Sequence, residues 1–495
     1  MRGFKTLLLM CAAWTVLNGQ TAQSSATRAF QPDIPKLWDE KELAAMTLPP
    51  ARREGQIVYV SSEYFYRTPA LKIYKSYPVY QPGREPDGYL DWLKEQSPVL
   101  AFDPSTINTE ADWIRAGQIA FNAPTIIEPI SDVRDPVWYE RLRIPVTSNG
   151  MVPGFYYVIR QKGEVELGSF SCATCHSRVL PDGSLVVGAQ GNFPLERDYG
   201  HWLRKQRSQE IERRLESGLN FSPSEKKRIT NGLYERSVEE IASIHDAMIP
   251  GIAMRTGFSY LDPPKIADLI GLKNRKYLDM TARLEHRSIG DIMRYGTMNA
   301  GANYFFSASG PVPEEKLPDP KTHFRYTDEQ AYAYSLYIYS LQPPPNPNQP
   351  SALTRRGEAI FAKEGCSGCH TPPLYTSNKL TVAGDFEIPP AHAKRYDILP
   401  ISVGTDPRSA LESLRGRGYY KIPSLKGVWY RGPFEHNGSI ATLEDWFDSA
   451  RLRDDYVPTG FKGYGVKTRA VKGHPFGLKL NPADKAALIA FLKTL

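Results

Sequence analysis

The chain has 495 residues, a length that favours two or three domains over one. Hydrophobic residues make up 41% and charged residues 23%, which is enough apolar mass for packed cores. The formal charge of +7 is spread along the chain without a dense Lys/Arg stripe. That argues against nucleic acid as a partner and leaves a weakly basic surface suited to an acidic protein.

Residues 1–26 read as a secretory signal. Arg2 and Lys5 form a basic start, residues 6–17 an apolar stretch, and residues 18–26 a small and polar exit. The apolar run is too short for a membrane span, and no later segment reaches spanning length. An exported chain, periplasmic or secreted, is the expectation. Residues 27–110 are rich in Tyr and Pro and are expected to wrap the domain that follows.

The first domain is assigned to residues 111–341. It opens on a helical pattern, Arg115-Ala116-Gly117-Gln118-Ile119-Ala120-Phe121. About fifty residues, 122–171, then read as an insertion. After it comes Cys172-Ala173-Thr174-Cys175-His176. The same C-x-x-C-H spacing returns at Cys366-Ser367-Gly368-Cys369-His370. Of the five cysteines, Cys11 lies in the signal, and these two motifs use the other four.

Two thiols three positions apart can add to the two vinyl groups of a haem, and the following His then faces the iron. A thioredoxin-like redox pair would need a βαβ context. A zinc site would need closer pairs, and these lie about 190 positions apart. Two simple disulfides would leave the two following histidines a coincidence. The cysteines therefore imply two covalently bound haem c groups, with His176 and His370 as proximal iron ligands.

Further along, Lys265-Ile266-Ala267-Asp268-Leu269-Ile270-Gly271 is echoed by Lys421-Ile422-Pro423-Ser424-Leu425-Lys426-Gly427. Glu285-His286-Arg287-Ser288-Ile289 is echoed by Glu435-His436-Asn437-Gly438-Ser439-Ile440. Each half closes on a helix, Thr327 capping 331–341 and Asn481 capping 486–495. A proline-rich linker, 342–352, separates the halves, and the second domain is assigned to 353–495. Helix, haem loop, middle segment and closing helix form a cytochrome c order. The expected fold is mainly α, with two cytochrome c-like domains, an irregular N-terminal extension and a long insertion in the first domain.

The stretch from Ile422 to Glu444, with Trp429-Tyr430-Arg431-Gly432-Pro433-Phe434-Glu435-His436-Asn437-Gly438 at its centre, resembles the bacterial di-haem cytochrome c peroxidase superfamily. That group includes the methylamine-utilisation di-haem enzyme and the di-haem rubber oxygenases. The resemblance is specific over 356–495, looser over 113–341 and absent before. The insertion and Gly473-His474-Pro475-Phe476-Gly477-Leu478 make the rubber-oxygenase-like branch look closest.

The resemblance implies an electron-relay haem in the second domain, with His370 and His474 as its axial ligands. It implies a reactive haem on His176, open to peroxide or dioxygen, with a small redox protein as electron donor and a hydrophobic substrate allowed. His286 and Glu285 are the candidates for a catalytic acid or base, and Tyr295, Tyr304, Phe305 and Phe306 for an apolar pocket. His323, or less so Met293 and Met298, could instead close the first iron. The chain would then be an electron carrier with two six-coordinate haems. Trp202 and Trp429 compete as the relay between haems. Arg178, Arg287, Lys421 and Arg431 are candidate propionate partners. Some relatives hold a calcium ion between domains, and no compact acidic loop assigns one here.

Overall fold

The computed structural model describes residues 30–52, 55–130, 132–206, 236–255, 257–299, 305–307 and 317–495. The expected signal, with Cys11, and Tyr304 of the expected aromatic pocket lie outside the described residues.

The principal helices are α1 (Glu110–Asn122), α2 (Leu195–Gln206), α3 (Val238–Asp246), α4 (Ile289–Asn299), α5 (Asp328–Ser340), α6 (Ala352–Lys363) and α7 (Pro482–Lys493). Their starts follow local chemistry. Thr109 and Asp112 form a reciprocal capping box at α1, and Thr327 and Gln330 another at α5. Asn481 accepts from the Asp484 N–H, with Pro482 in the first turn of α7.

Each half is organised around one crossed helix pair, α1 with α5 and α6 with α7. The crossings are built alike. A Cβ at Gly117 would run into the Ala333 carbonyl and the Tyr337 Cβ. A Cβ at Gly357 would run into the Ala487 carbonyl and the Phe491 Cβ. Glycine at both points lets backbone touch backbone, which fixes how closely each pair packs. The echo in the sequence is thus a repeated contact in space.

The expectation of a mainly α chain needs correcting. The inserted stretch folds into an antiparallel sheet with strands β1 (Ser76–Tyr80), β2 (Ile126–Pro129), β3 (Met151–Val158) and β4 (Glu166–Phe170), in the order β1-β3-β4-β2. Alternate burial along β1 and aromatic residues along β3 suit a half-buried sheet, not a helix. Strand β1 comes from the N-terminal extension, so extension and insertion share one sheet. The extension also enters the core of the first half. Trp38 stacks on Phe65 at 4.5 Å, and Phe65 meets Phe305 at 4.7 Å. A smaller sheet in the second half pairs 380–382 with 398–399 and 419–421.

The halves interlock through polar contacts. Arg178 donates to the Gly432 carbonyl at 2.9 Å, and Gln190 to the Pro433 carbonyl at 3.0 Å. Lys265 N–H donates to the His436 carbonyl at 3.0 Å, and Asn437 to Asp262 at 2.6 Å. Arg415 and Asp279 form a buried ion pair at 2.7 Å. The linker 342–350 has no helix or strand and is tied to the end of α7 by Asn346, which donates to the Lys493 carbonyl.

Candidate haem centres

The first motif lies on a one-turn helix, Cys172–Cys175, capped by Ser171. Thr174 donates to the Gly154 carbonyl at 2.9 Å, which fastens the motif to β3. His176 N–H donates to the Cys172 carbonyl, closing the turn at 3.0 Å. Its ring Nδ1 lies 2.9 Å from the Ala267 carbonyl oxygen. A carbonyl only accepts, so Nδ1 carries the proton and Nε2 is left as the metal-binding nitrogen.

The second motif repeats this. His370 N–H donates to the Cys366 carbonyl at 2.9 Å, and its Nδ1 lies 3.2 Å from the Tyr375 carbonyl. The Pro423 carbonyl is a further acceptor for the same imidazole. Ala267 and Pro423 hold matching positions in the two echoed segments. Those segments therefore supply the carbonyls that orient the two proximal rings.

The four thiols are unpaired, and burial raises their pKa: Cys172 to about 12, Cys175 and Cys366 to about 11. The donor chemistry fits thioether attachment.

The His370 and His474 ring centroids are 6.3 Å apart. His370 and His474 are therefore the two residues that would hold an iron between them. Burial, with His370 opposite, pushes His474 down to about 4, so it is neutral as a ligand must be.

The loop carrying His474 is held by Arg451, which is 1% exposed. Its guanidinium donates to Trp446 O at 2.9 Å, Val471 O at 2.6 Å, Gly473 O at 3.0 Å and His474 O at 2.9 Å. His474 N–H donates to the Val403 carbonyl at 2.6 Å. Trp446 and Phe476 flank the ring at 5.1 and 5.2 Å. Nothing in the local sequence singles out Arg451.

Cations crowd the region between the motifs. Burial, and then the charge of Arg431, pushes Lys265 down to about 8. Burial, and then the charge of Arg275, pushes Lys421 down to about 7. Arg275 is lowered by burial as well. All three keep partial exposure, so they border a space and do not pack solidly. Asp268, Glu435 and Asp279 lie among them, fewer than the cations they face, and buried charge calls for a partner of the other sign. Four haem propionates fit that requirement. Lys421 and Arg431 were expected in this role; Lys265 and Arg275 were not, although the repeat places Lys265 opposite Lys421.

Other candidates go elsewhere. His286 uses both ring nitrogens, one on the Arg275 carbonyl at 2.7 Å and one on the Tyr339 hydroxyl at 2.5 Å. Arg275 in turn donates to the Asp268 and Ile270 carbonyls, beside Ala267. His286 therefore braces the loop behind His176, with one ring nitrogen on a carbonyl and the other on a tyrosine hydroxyl. Glu285 lies in a two-residue strand, 4.0 Å from Lys276.

His323 follows a short surface turn and contacts Thr322 through Nε2. Among the described residues no second imidazole faces His176 as His474 faces His370. Met293 and Met298 are buried in the first core cluster, with Phe305 and Phe306. The Tyr295 ring lies 6.0 Å from the Arg255 guanidinium. Arg287 pairs with Asp291 and Glu42 near the surface, away from the buried cations. Trp202 stacks on Tyr199 at 5.5 Å. Trp429 packs beside Tyr430 against Val186, Ala189 and Ile270 of the first half. His436 is held between Glu435 and Asp262. Among the described residues no cluster of three His, Cys, Asp or Glu side chains is arranged for a metal ion, and no helix is long and apolar enough to cross a membrane.

No family model matches the chain. It is 32% identical over 113 residues to the cytochrome-c peroxidase IdrP1 of Denitromonas iodatirespirans, covering 19% of this chain and 30% of that one. It is 31% identical over 138 residues to the protein y4iJ of Sinorhizobium fredii, covering 21% and 23%. The chain thus spans less than a third of the length of these relatives. Two solved structures are weakly similar. One is a MauG-like protein associated with microbial copper homeostasis, at 16% identity and a TM-score of 0.31, over 58% of this chain and 88% of that one. The other is Kuenenia stuttgartiensis hydrazine synthase, at 15% identity and 0.28, over 56% and 88%. Over about a fifth of its length, then, the chain is similar to a cytochrome-c peroxidase.

Proposed function

We propose that the chain is an exported di-haem oxidoreductase in which electrons enter at the His370 centre and peroxide or dioxygen reacts at the His176 centre. When bound, haem supplies one-electron chemistry and, on an open face, a site for a small oxidant. The observation that carries the reading is an asymmetry. His370 has an imidazole opposite it at ligand spacing, whereas no described imidazole faces His176.

The residues divide the work. His474, clamped by Arg451, keeps the second centre closed and suited to electron transfer. Ala267 orients His176, and His286 braces that loop through Arg275. Lys265, Lys421, Arg275 and Arg431 neutralise anionic groups buried between the halves. Trp429 and Tyr430, packed across the junction, are the aromatic pair best placed to carry electrons between centres. The electron donor is a small redox protein, and the compartment is the periplasm or the exterior. An oxygenase acting on a hydrophobic substrate stands beside peroxide reduction as a use of the same open face.

The test is the spectrum of the full chain carrying both haems. Mass spectrometry should give two covalent haems. Electron paramagnetic resonance should show one high-spin and one low-spin ferric centre, with carbon monoxide or cyanide binding to one of them. H474A should open the second centre to carbon monoxide. Two low-spin centres that refuse both ligands would make the chain an electron carrier and overturn the proposal.

A further inference from the structure

We infer that Arg431 and Asp268 form a buried charge junction that sets the potentials of the two centres relative to each other. The inference rests on the two-haem reading above. Asp268 follows Ala267, whose carbonyl orients His176. Ser424 follows Pro423, whose carbonyl faces His370. Asp268 and Ser424 hold matching positions in the repeat.

Arg431 reaches both. Its Nε lies 3.6 Å from Asp268 Oδ2, and its Nη2 donates to the Ser424 carbonyl at 2.8 Å. One side chain of the second half therefore spans the residues next to both proximal carbonyls. Asp268 is also fixed by the Ile270 N–H at 2.8 Å and the Tyr430 hydroxyl at 3.1 Å. The two side chains are 14% and 4% exposed, so solvent screens their charges poorly.

The repeat is symmetric in backbone and asymmetric in charge. At the matching position the first loop carries a carboxylate, Asp268, and the second an uncharged serine, Ser424. A haem that gains one electron loses one positive charge. A fixed carboxylate favours the oxidised form, and a fixed guanidinium the reduced form. Asp268 alone would hold the His176 centre at low potential. Arg431 offsets it there and raises the His370 centre, where the aligned residue, Ser424, carries no charge to oppose it.

The experiment is a redox titration of the full chain carrying both haems, each centre followed by its own spectral bands. D268N is nearly isosteric and should raise the midpoint of the His176 centre, with a smaller effect on the other. R431M should lower both midpoints. The double variant should return the first centre towards the wild type and leave the second low. R431K keeps the charge and should stay near the wild type. Single variants that move the first centre in the same direction, or D268N with both haems present and no shift, would overturn the inference. Midpoints in R431K equal to those in R431M would also overturn it. If R431M fails to hold both haems, D268N decides alone. Fewer than two haems in the unmodified chain would remove the two-haem reading, and this inference with it.

Discussion

Arg451 offers a direct test of how the second centre is built. It is buried, and its guanidinium donates to four carbonyls on two segments, 446 and 471–474. R451M keeps most of the apolar stem and removes every one of these bonds. A hydrogen bond from a charged donor contributes about 1.5–3 kcal/mol, and an unsatisfied buried carbonyl costs about 1–3 kcal/mol. Some carbonyls will find water, and the variant no longer has to bury a cation, so the sum overstates the loss. A net cost of about 3–5 kcal/mol remains. If the second half melts as one unit, that lowers Tm by roughly 10 °C. The loop then lets His474 leave the iron for part of the time. The assay is a thermal melt combined with the visible and paramagnetic resonance spectra of the second centre. The expected result is a lower Tm together with a high-spin fraction and carbon monoxide binding at that centre. A variant as stable as the wild type, with an unchanged low-spin signal, would refute the reasoning.

Other substitutions probe other parts. G357A gains helix propensity of about 1 kcal/mol but drives a methyl into the Ala487 carbonyl, and should be destabilised overall by about 1–3 kcal/mol in chemical denaturation. H323A should leave the spectrum and ligand binding of the His176 centre unchanged; a new high-spin signal would make His323 an iron ligand. Burial disfavours the charge on His436, but Glu435 and Asp262 outweigh it and push the imidazole up to about 10. Its charge-dependent stabilisation is complete below about 6.5, the unfolded value, and is lost as pH rises through about 10. Melts of wild type and H436Q should therefore differ most at low pH and converge in alkali.

Much of the site was legible in the chain because its rules are local. Spacing of three between cysteines, a following histidine, and Thr327 and Asn481 at helix starts all act within a turn or two. The echoed segments pointed to a repeat, and the structure gave them a role, since Ala267 and Pro423 both hold proximal imidazoles. His474 was expected from the resemblance, and its ring lies 6.3 Å from that of His370. The sheet shared by the extension and insertion was missed because its strands are short and its partners lie far apart in sequence.

Sequence alone determined the two C-x-x-C-H turns and where helices begin, since both depend on atoms a few residues apart. Tertiary structure alone decided what His286 contacts, and that Arg431 and Arg451 reach several carbonyls or charges from distant segments. Those outcomes depend on which buried groups meet, and a buried arginine looks like a surface one until the chain has closed around it.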